Sequence, residues 1–469
     1  MNERYQKLAK NSVIFMIANF GSKFFSFMLV PFYTHVLSTG EYGTVDTLIA
    51  TVSLFSPIAT LGIGDVIIMF LSKKEYEAKK IFMNTALLIL FGNILVSFVY
   101  PLLFLSNTFR DYILHFILLV ITSSVYGVLQ MYVRGNEKVA ACAASGVIYT
   151  ITLALANIVL LIYFKQGISG YLLSTILAYV VPSVYLFVVA KDKAFTISLI
   201  DKELIKKVLR LSMPLMPTAI LWSLMNLADK YAILWFVGAT GNGIYAVAHK
   251  IPTILSVIYS IFQQAWQLTT FELESREDRS KAYTSVFELL TCVLFCAGAF
   301  LIVLNRVYIT YFCESSYLVG WKITPLLMYS AILNSISGLL GSNYLIMHDT
   351  KSALKVTTIG AMVNIVFNFL LVPIFGLYGA ALATIIGYLY MVAKKYFDTS
   401  KFTPLKFNMN KFVFVNVLSV IMIASVSIGN SSVYYLLNLL ITGIIAWLYK
   451  DQFGKVTSLI MNRLKKKVQ

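Results

Sequence analysis

Charged residues are scarce in this sequence, and acidic residues are the scarcest. Only 13% of the 469 residues are charged, and Asp and Glu together number 21 against 38 Lys and Arg. Apolar residues instead make up 59% of the chain. A soluble protein of this length could not bury so much apolar surface. No gap between the apolar stretches could hold a soluble domain, so any function must lie inside a helical bundle or on its loops.

Cysteine and histidine are also few, and none has the spacing of a metal or redox motif. The four cysteines are Cys142, Cys292, Cys296 and Cys313. Cys292 and Cys296 share a helix face, which is typical of two thiols packed in a bundle. The first apolar run is too long for a signal peptide and lacks a convincing cleavage site. The sequence therefore predicts no metal centre and no bound cofactor, and leaves coupling to H⁺ or Na⁺ open.

Long apolar runs fill nearly the whole chain. A helix needs about 20 residues to cross a hydrocarbon core of about 30 Å, whereas the strands of a membrane barrel alternate over about 10 residues. The runs therefore predict an all-α integral membrane protein. The fourteen predicted transmembrane helices lie near 12–36, 43–71, 81–105, 113–133, 139–164, 168–190, 212–237, 244–270, 283–304, 322–346, 355–375, 377–397, 411–429 and 433–449.

Basic residues are distributed unevenly between alternate loops. If the N-terminus is cytoplasmic, 31 of the 38 Lys and Arg residues lie in inside loops or termini. The outside loops then hold four, which are Arg110, Lys165, Arg306 and Lys322. This distribution agrees with the positive-inside rule and predicts that both termini are cytoplasmic. We interpret the net charge of +17 as a topology signal and a contact with anionic membrane lipids, not as a nucleic-acid surface.

Two segments of the chain repeat at a spacing of 209 residues. The pattern Gly-x-x-Gly-x-x-x-x-Thr-Ile-x-x-Tyr occurs at 167–179 and again at 376–388. Gly43 and Gly243 also each follow the external turn after the first helix of a predicted six-helix group. The repeat predicts two pseudo-symmetric six-helix lobes around a central cavity, 1–200 and 201–400. Residues 401–469 then hold two extra helices and a basic tail, and 200–210 forms an amphipathic helix on the inner surface.

Charged residues inside predicted spans are the first candidates for function, because their insertion costs about 2.5–3.5 kcal/mol each. Lys23 lies near the middle of helix 1 and shares a face with Asn19. Asn226, Asp229 and Lys230 share a face of helix 7. These helices begin the two lobes, so their polar faces could meet and attract an anion.

Other candidates keep two interpretations at this stage. Lys250 either faces the cavity or extends to the outer headgroups. Asp229 either carries a coupling ion or neutralises a lysine, and Asp65 in helix 2 is a second coupling candidate. Gln263 precedes Trp266, which either anchors the interface or lines the inner mouth.

Several segments resemble bacterial polysaccharide-repeat-unit flippases, the Wzx-like branch of the multidrug/oligosaccharidyl-lipid/polysaccharide exporter superfamily. The resemblance covers about residues 8–400. The segments that carry it are Leu29–Gly43, Pro214–Pro217, Asp229–Tyr231, Gly243–Tyr245, Ala248–Pro252, Phe262–Trp266 and Asn364–Thr384. Two positions depart from the pattern: Met69 replaces an Arg common in relatives, and Lys230 replaces the Arg of an Asp-Arg pair.

The resemblance implies movement of polyprenyl-pyrophosphate-linked oligosaccharides from the inner to the outer leaflet of the bacterial cytoplasmic membrane by alternating access. It implies a role in surface-polysaccharide biosynthesis, and the sequence leaves open whether the protein works alone or beside a polymerase and chain-length machinery. Lys23, Lys230 and Lys250 would bind the pyrophosphate. The residues expected to contact sugar or line the path are Asn19, Asn226, Tyr33 and Gln263.

Two other functions remain to be weighed. A cation-coupled multidrug exporter of the same superfamily would need a carboxylate-rich cavity, but lysines outnumber the deep carboxylates here. A membrane glycosyltransferase or polymerase would need acid and base groups that face a sugar. The outer side offers only scattered acids, which are Glu41, Asp46, Asp111 and Glu314.

Overall fold

The computed structural model describes residues 21, 27–103, 107–190, 194–214, 216–270, 276–346, 349–428 and 431–452. These residues are overwhelmingly helical and include no strand, so the prediction of an all-α membrane protein is confirmed. Nine described helices are long and apolar enough to cross a membrane, or eleven if each of two bent pairs is one span. The total of fourteen stays a prediction, since helix 1 lies largely outside the described residues.

Internal contacts divide the chain into two compact units, Met1–Gly243 and Ile244–Gln469. The predicted lobes follow the sequence repeat instead, and those boundaries stay a prediction. The first unit extends past residue 200 because the helix at 216–236 packs against the helix at 39–59. The helices of this unit are α1 (Phe27–Val36), α2 (Thr39–Ala59), α3 (Gly64–Lys73), α4 (Ala78–Ser97), α5 (Tyr100–Leu103), α6 (Asn107–Gly135), α7 (Val139–Asn157), α8 (Gly167–Val189), α9 (Lys202–Ser212) and α10 (Met216–Phe236).

Helix α11 (Ala239–Lys250) contains the boundary between the units, and the remaining helices belong to the second unit. Among the nine candidate spans, the one at Gly320–Tyr344 is the most enclosed. Of its apolar window, 83% is buried inside the protein, against 28% for the next span, Lys351–Phe375. The second unit is therefore built around this helix. Its helices are α12 (Pro252–Thr270), α13 (Arg276–Phe312), α14 (Gly320–Ile346), α15 (Thr350–Phe375), α16 (Leu377–Phe402), α17 (Met409–Ala424) and α18 (Ser431–Leu448).

The second predicted span, 43–71, is a broken helix. Helices α2 and α3 meet at an angle of 45°. Leu61 and Gly62, between them, both have positive φ, and Pro57 lies in the last turns of α2. A proline interrupts the hydrogen-bond ladder and a left-handed pair ends a helix, so the bend is encoded locally.

Two helices extend beyond the predicted spans. Helix α13 runs from Arg276 to Phe312 and has 37 residues, whereas the apolar pattern predicted a span at 283–304. Helix α16 continues to Phe402, past the predicted end at 397, so Lys394 and Lys395, which were counted with the cations of the following inside loop, are helical. Apolar periodicity ends at the membrane boundary, whereas a helix continues wherever backbone hydrogen bonds continue.

The amphipathic helix predicted at 200–210 is present as α9. The Asp201 side chain accepts hydrogen bonds from the backbone N–H groups of Glu203 and Leu204 and so caps the helix. Lys80 Nζ lies 2.6 Å from the same carboxylate. Leu204 and Val208 are buried against the first unit, which fixes the basic helix along its surface.

Both copies of the repeated motif begin a helix after a tight turn. Gly167 has φ +52° before α8, and Gly376 has φ +55° before α16. Side chains disfavour this conformation, which explains glycine at both turns. Each motif helix packs closely on the helix before it, α7 and α15 respectively. The sequence repeat is thus a repeated helical hairpin.

Candidate functional site

The polar contact between α2 and α10 is the best-defined candidate site in the first unit. Thr51 Oγ1 lies 3.2 Å from the Tyr231 hydroxyl, and Ser223 Oγ donates to the Ser53 carbonyl at 3.1 Å. The two helices therefore meet along a polar seam.

Two glycines allow the chain at 239–243 to cross α2 at backbone contact. A Cβ added to Gly43 would lie 2.0 Å from the Ala239 carbonyl oxygen, and one added to Gly243 would lie 1.9 Å from the Thr39 oxygen. The contact is reciprocal, because each glycine meets the residue four positions before the other. These two glycines are the pair that the sequence analysis placed at equivalent turns.

Asn242 completes the crossing. It is fully buried, and its Nδ2 donates to the Gly43 carbonyl at 3.0 Å and to Thr47 Oγ1 at 2.6 Å. A buried amide with these partners fixes the register of the two segments. The sequence analysis did not identify Asn242 as a contact residue, since an asparagine beside a glycine is typical of a turn.

Lys230 forms an ion pair with Asp46 across the seam. Their side chains are 21% and 13% exposed, so the pair is largely withdrawn from solvent. Asp46 was counted among acids scattered across separate turns of the outer side, whereas the structure places it within helix α2. Helix α2 begins at Thr39, so Asp46 lies about 10 Å along it and its side chain reaches α10.

The other polar residues of α10 have different surroundings. Asp229 is buried, whereas Asn226 is exposed and donates to the Trp222 carbonyl of its own helix at 3.1 Å. The three residues thus differ in exposure although they lie within one turn of each other, and Lys230 is paired with Asp46. Asp65 is exposed in the first turn of α3, directly after the bend.

Tyrosines line the interior of the first unit near this seam. Tyr33 is buried and its hydroxyl accepts from Asn157 Nδ2 at 3.0 Å, while its ring lies 4.8 Å from that of Tyr171. A second group consists of the half-buried Tyr126, Tyr149 and Tyr179, with ring centroids 5.2–6.0 Å apart. This second group was not predicted from the sequence, because its members come from the three separate helices α6, α7 and α8.

The predicted residues of the second unit are partly exposed. Lys250 is half-buried at the end of α11, and Gln263 is half-buried on α12. Trp266 is buried, and its Nε1 donates to Ser342 Oγ at 3.1 Å. It is thus a packed side chain within the unit. Asn19 and Lys23 lie outside the described residues.

Lys395 is the most deeply buried lysine that the structure describes, with 4% exposure. Its Nζ donates to the Ser337 carbonyl at 3.1 Å and to Ser337 Oγ at 2.9 Å. Gly341 makes room for it, since a Cβ there would lie 3.2 Å from Nζ. Sequence reasoning missed this residue because it stands beside Lys394 in what looked like a basic loop.

Residues 8–267, more than half of the chain, match the family described as polysaccharide biosynthesis protein.

The chain belongs to the polysaccharide biosynthesis protein family.

One curated relative of this family member is an uncharacterized membrane protein of Methanocaldococcus jannaschii. It is 23% identical over 415 residues, which cover 81% of this chain and 94% of the relative. A relative of this length, matched almost throughout, shows that the likeness extends well beyond the part matched by the family.

Solved structures show which fold this family member has. The lipid II flippase MurJ in an inward closed conformation matches with a TM-score of 0.74 and 16% identity, covering 95% of this chain and 99% of that one. An inward-facing multidrug resistance MATE family transporter of the MOP superfamily matches with a TM-score of 0.62 and 14% identity, covering 83% and 95%. The chain is therefore a multi-pass membrane protein with the fold of these transporters.

Proposed function

We propose that this protein moves lipid-linked oligosaccharides across the membrane, with a polyprenyl pyrophosphate as the lipid anchor. The observation that carries the proposal is the half-buried lysine at the α2–α10 seam of a polysaccharide biosynthesis family member. A cation held at low exposure attracts a phosphate more strongly than one in water, since the local dielectric constant is low. The expected direction is from the inner to the outer leaflet of a bacterial cytoplasmic membrane, with both termini cytoplasmic.

In this proposal, Asp46 holds Lys230 until the cargo arrives. A pyrophosphate carries more negative charge than a carboxylate and competes for the same ammonium group. Exchange of Asp46 for the cargo would weaken the seam between α2 and α10. Binding and opening of the seam would then be coupled without any covalent chemistry, and Lys23 and Lys250 would add further positive charge along the path.

The sugar part of the cargo would contact aromatic and amide side chains. Tyr126, Tyr149 and Tyr179 present half-buried rings in the first unit, and rings of this kind pack against the apolar faces of sugars. Asn19, Asn226, Tyr33 and Gln263 stay candidates for the same role. Asp229 or Asp65 would carry H⁺ or Na⁺ if the transport is ion-coupled, and a polymerase would use the transported units.

The test measures lipid-linked intermediates in cells of the native host. Depletion of the protein should cause a completed single repeat unit on polyprenyl pyrophosphate to accumulate, as detected by mass spectrometry of lipid extracts, and surface polysaccharide should fall. Lys230→Ala should reproduce both effects at normal membrane abundance. The matched control is Lys351→Ala, which removes an exposed lysine at the start of α15.

Other outcomes would count against the proposal. Full export by a Lys23→Ala, Lys230→Ala double variant at normal abundance would show that these cations do not bind the cargo. Truncated repeat units would indicate a glycosyltransferase.

Multidrug export is the second candidate function, and the likeness to a MATE transporter favours it. Drug efflux with an unchanged pool of lipid-linked sugars would support this alternative.

A further inference from the structure

The second unit contains a cavity that the proposed cargo path does not use. Its volume is about 630 Å³, and its charged and aromatic lining consists of Arg306, Trp321, Lys322 and Tyr378. The chain between 423 and 428 closes another side. The cavity lies where α13 and α17 end and where α14 and α16 begin, so it opens at one end of the unit. We call it the helix-end cavity.

The cations of this cavity are unusual for their position. Only four basic residues, Arg110, Lys165, Arg306 and Lys322, fall in the predicted outside loops. Two of these four line the helix-end cavity, although their positions in the sequence are separated by 15 residues and a turn. Topology signals account for cations on the inner side but not on the outer side. The presence of both Arg306 and Lys322 in one cavity therefore indicates an anionic ligand.

Aromatic rings hold the arginine in place. The Arg306 guanidinium carbon lies 4.6 Å from the ring centroid of Trp321 and 5.4 Å from that of Tyr434. Tyr434 is fully buried and donates to the Ile302 carbonyl at 3.2 Å. Asn305 Nδ2 donates to the Trp321 carbonyl at 2.7 Å, which fixes the start of α14 beside α13. Stacking engages the faces of a guanidinium, whereas its N–H donors lie in the plane and point outward.

Lys322 supplies a second, more accessible charge. Its side chain is exposed, and its Nζ lies 5.9 Å from the Trp321 ring. No acidic side chain is among the residues that line the cavity in the described part of the chain. The site thus combines a fixed planar donor with a mobile point charge. This is a combination suited to phosphate oxygens.

A lipid is the form in which phosphate would reach this cavity. Exposed apolar side chains flank it on the neighbouring helices: Ile374 is 72% exposed and Phe375 is 52% exposed at the end of α15, and Ile421 is 42% exposed on α17. Such side chains are in contact with acyl chains in a membrane. Tyr434 is buried and Trp321 is half-buried beneath the arginine, so neither ring has the exposure of an interfacial anchor, whereas Tyr378, which also lines the cavity, is 38% exposed.

We propose that the helix-end cavity binds the phosphate headgroup of an anionic lipid at the predicted outer surface. Two sources share this chemistry: a phospholipid of the outer leaflet, and the pyrophosphate end of the cargo after it has crossed. The second source rests on the proposed function, whereas the first does not. In both cases Arg306 and Lys322 contact phosphate oxygens, and the acyl or prenyl chain lies along α15 and α17.

The experiment titrates lipid onto the purified full-length protein in detergent and measures binding by native mass spectrometry. The probes are phosphatidylglycerol and undecaprenyl pyrophosphate, with diacylglycerol as the probe that lacks phosphate. Removal of both cations with Arg306→Gln and Lys322→Gln should weaken binding of a phosphate-bearing probe about tenfold. The matched control, Arg110→Gln with Lys165→Gln, removes the same charge from the same predicted side and should change the affinity less than twofold.

The probes distinguish the two sources. If phosphatidylglycerol binds more tightly than undecaprenyl pyrophosphate, and the cavity variant loses this binding, the site is a phospholipid site. If undecaprenyl pyrophosphate binds more tightly than phosphatidylglycerol, and the cavity variant loses this binding, the site binds the pyrophosphate end of the cargo. Equal weakening in the cavity and control variants, or unchanged affinity in the cavity variant, would overturn the proposal.

Arg306 packs against rings, so its replacement could disturb folding. Lys322→Gln alone, at an exposed position, should still weaken binding severalfold, and Arg306→Lys should give an intermediate loss because the charge stays but the fork is removed. Unchanged affinity in both single variants would equally contradict the proposal. If the helix-end cavity proves not to bind lipid, Lys230→Ala is still expected to stop export. The two proposals are therefore tested independently.

Discussion

At the scale of single residues, the charges that matter are those the fold withdraws from water. Lys230 and Asp46 share one largely buried contact, and Lys395 is buried against Ser337 without an ion pair in the described residues. A buried charge is costly unless its surroundings compensate for it. These three residues are therefore where substitution should have its largest electrostatic effect.

The ion pair of Asp46 and Lys230 should show energetic coupling. Asp46→Asn should lower the stability of the purified protein by about 1–3 kcal/mol, since it leaves Lys230 without its charged partner. The charge-exchanged double variant, Asp46→Lys with Lys230→Asp, should recover part of the loss of either single exchange. Thermal unfolding in detergent measures both effects. Asp111→Asn, at an exposed position on α6, is the control, and strictly additive losses would refute a direct pair.

Lys395 should be replaceable by an apolar side chain of similar length without loss of stability. Lys395→Met removes a buried cation whose described partners are both neutral groups of Ser337. We expect the melting temperature to stay constant or to rise by about 2–4 °C, the shift that corresponds to about 1 kcal/mol in a domain of this size. Lys355→Met, at an exposed position on α15, is the control. A marked fall in melting temperature would mean that the hydrogen bonds to Ser337 outweigh the cost of burial.

At the scale of helices, close backbone contact is as important as apolar burial. The α2–α10 seam is polar, and the crossing at Gly43 and Gly243 brings backbone atoms together. Membrane helices associate through small residues of this kind, because lipid supplies no hydrophobic driving force between them. The glycines thus determine how closely the segments approach, and Asn242 determines their register.

A single methyl group should disrupt this crossing. Gly43→Ala places a Cβ 2.0 Å from the Ala239 carbonyl oxygen, which backbone movement alone can relieve. Overpacking costs about 1–3 kcal/mol or more, so the yield of monodisperse protein in detergent should fall markedly, and Gly243→Ala should do the same. Gly40→Ala lies one turn away on α2, where the nearest atom would be 3.8 Å distant. Similar yields for Gly40→Ala and Gly43→Ala would contradict this account.

At the scale of the whole molecule, the uneven distribution of cations predicts its orientation. The N-terminal side of α15 and the turn before α8 should lie on opposite sides of the membrane. We expect a membrane-impermeant maleimide to label Lys165→Cys in intact cells and Lys351→Cys only after permeabilisation. Both positions are exposed, and the native cysteines are first changed to alanine. Labelling of Lys351→Cys in intact cells would reverse the predicted topology.

The candidate site was predicted only in part from the sequence. Lys230 was identified because a charge in an apolar run is conspicuous, and Gly43 and Gly243 because their turns repeat. Asp46, Asn242 and Lys395 were not identified, since each stands beside turn residues or other cations that offered a simpler explanation. Periodicity gives the sector of a helix on which a residue lies, but not which helix it faces.

The sequence by itself determined that this protein is a helical membrane protein, where most of its helices lie and which hairpin is repeated. These properties depend on local hydropathy and on glycines with positive φ, which each segment encodes alone. Only the tertiary structure decided the partners of the charged and polar residues: Lys230 with Asp46, Lys395 with Ser337, and Arg306 with the rings of Trp321 and Tyr434. Such partners come from segments far apart in the chain, and packing alone brings them within contact distance.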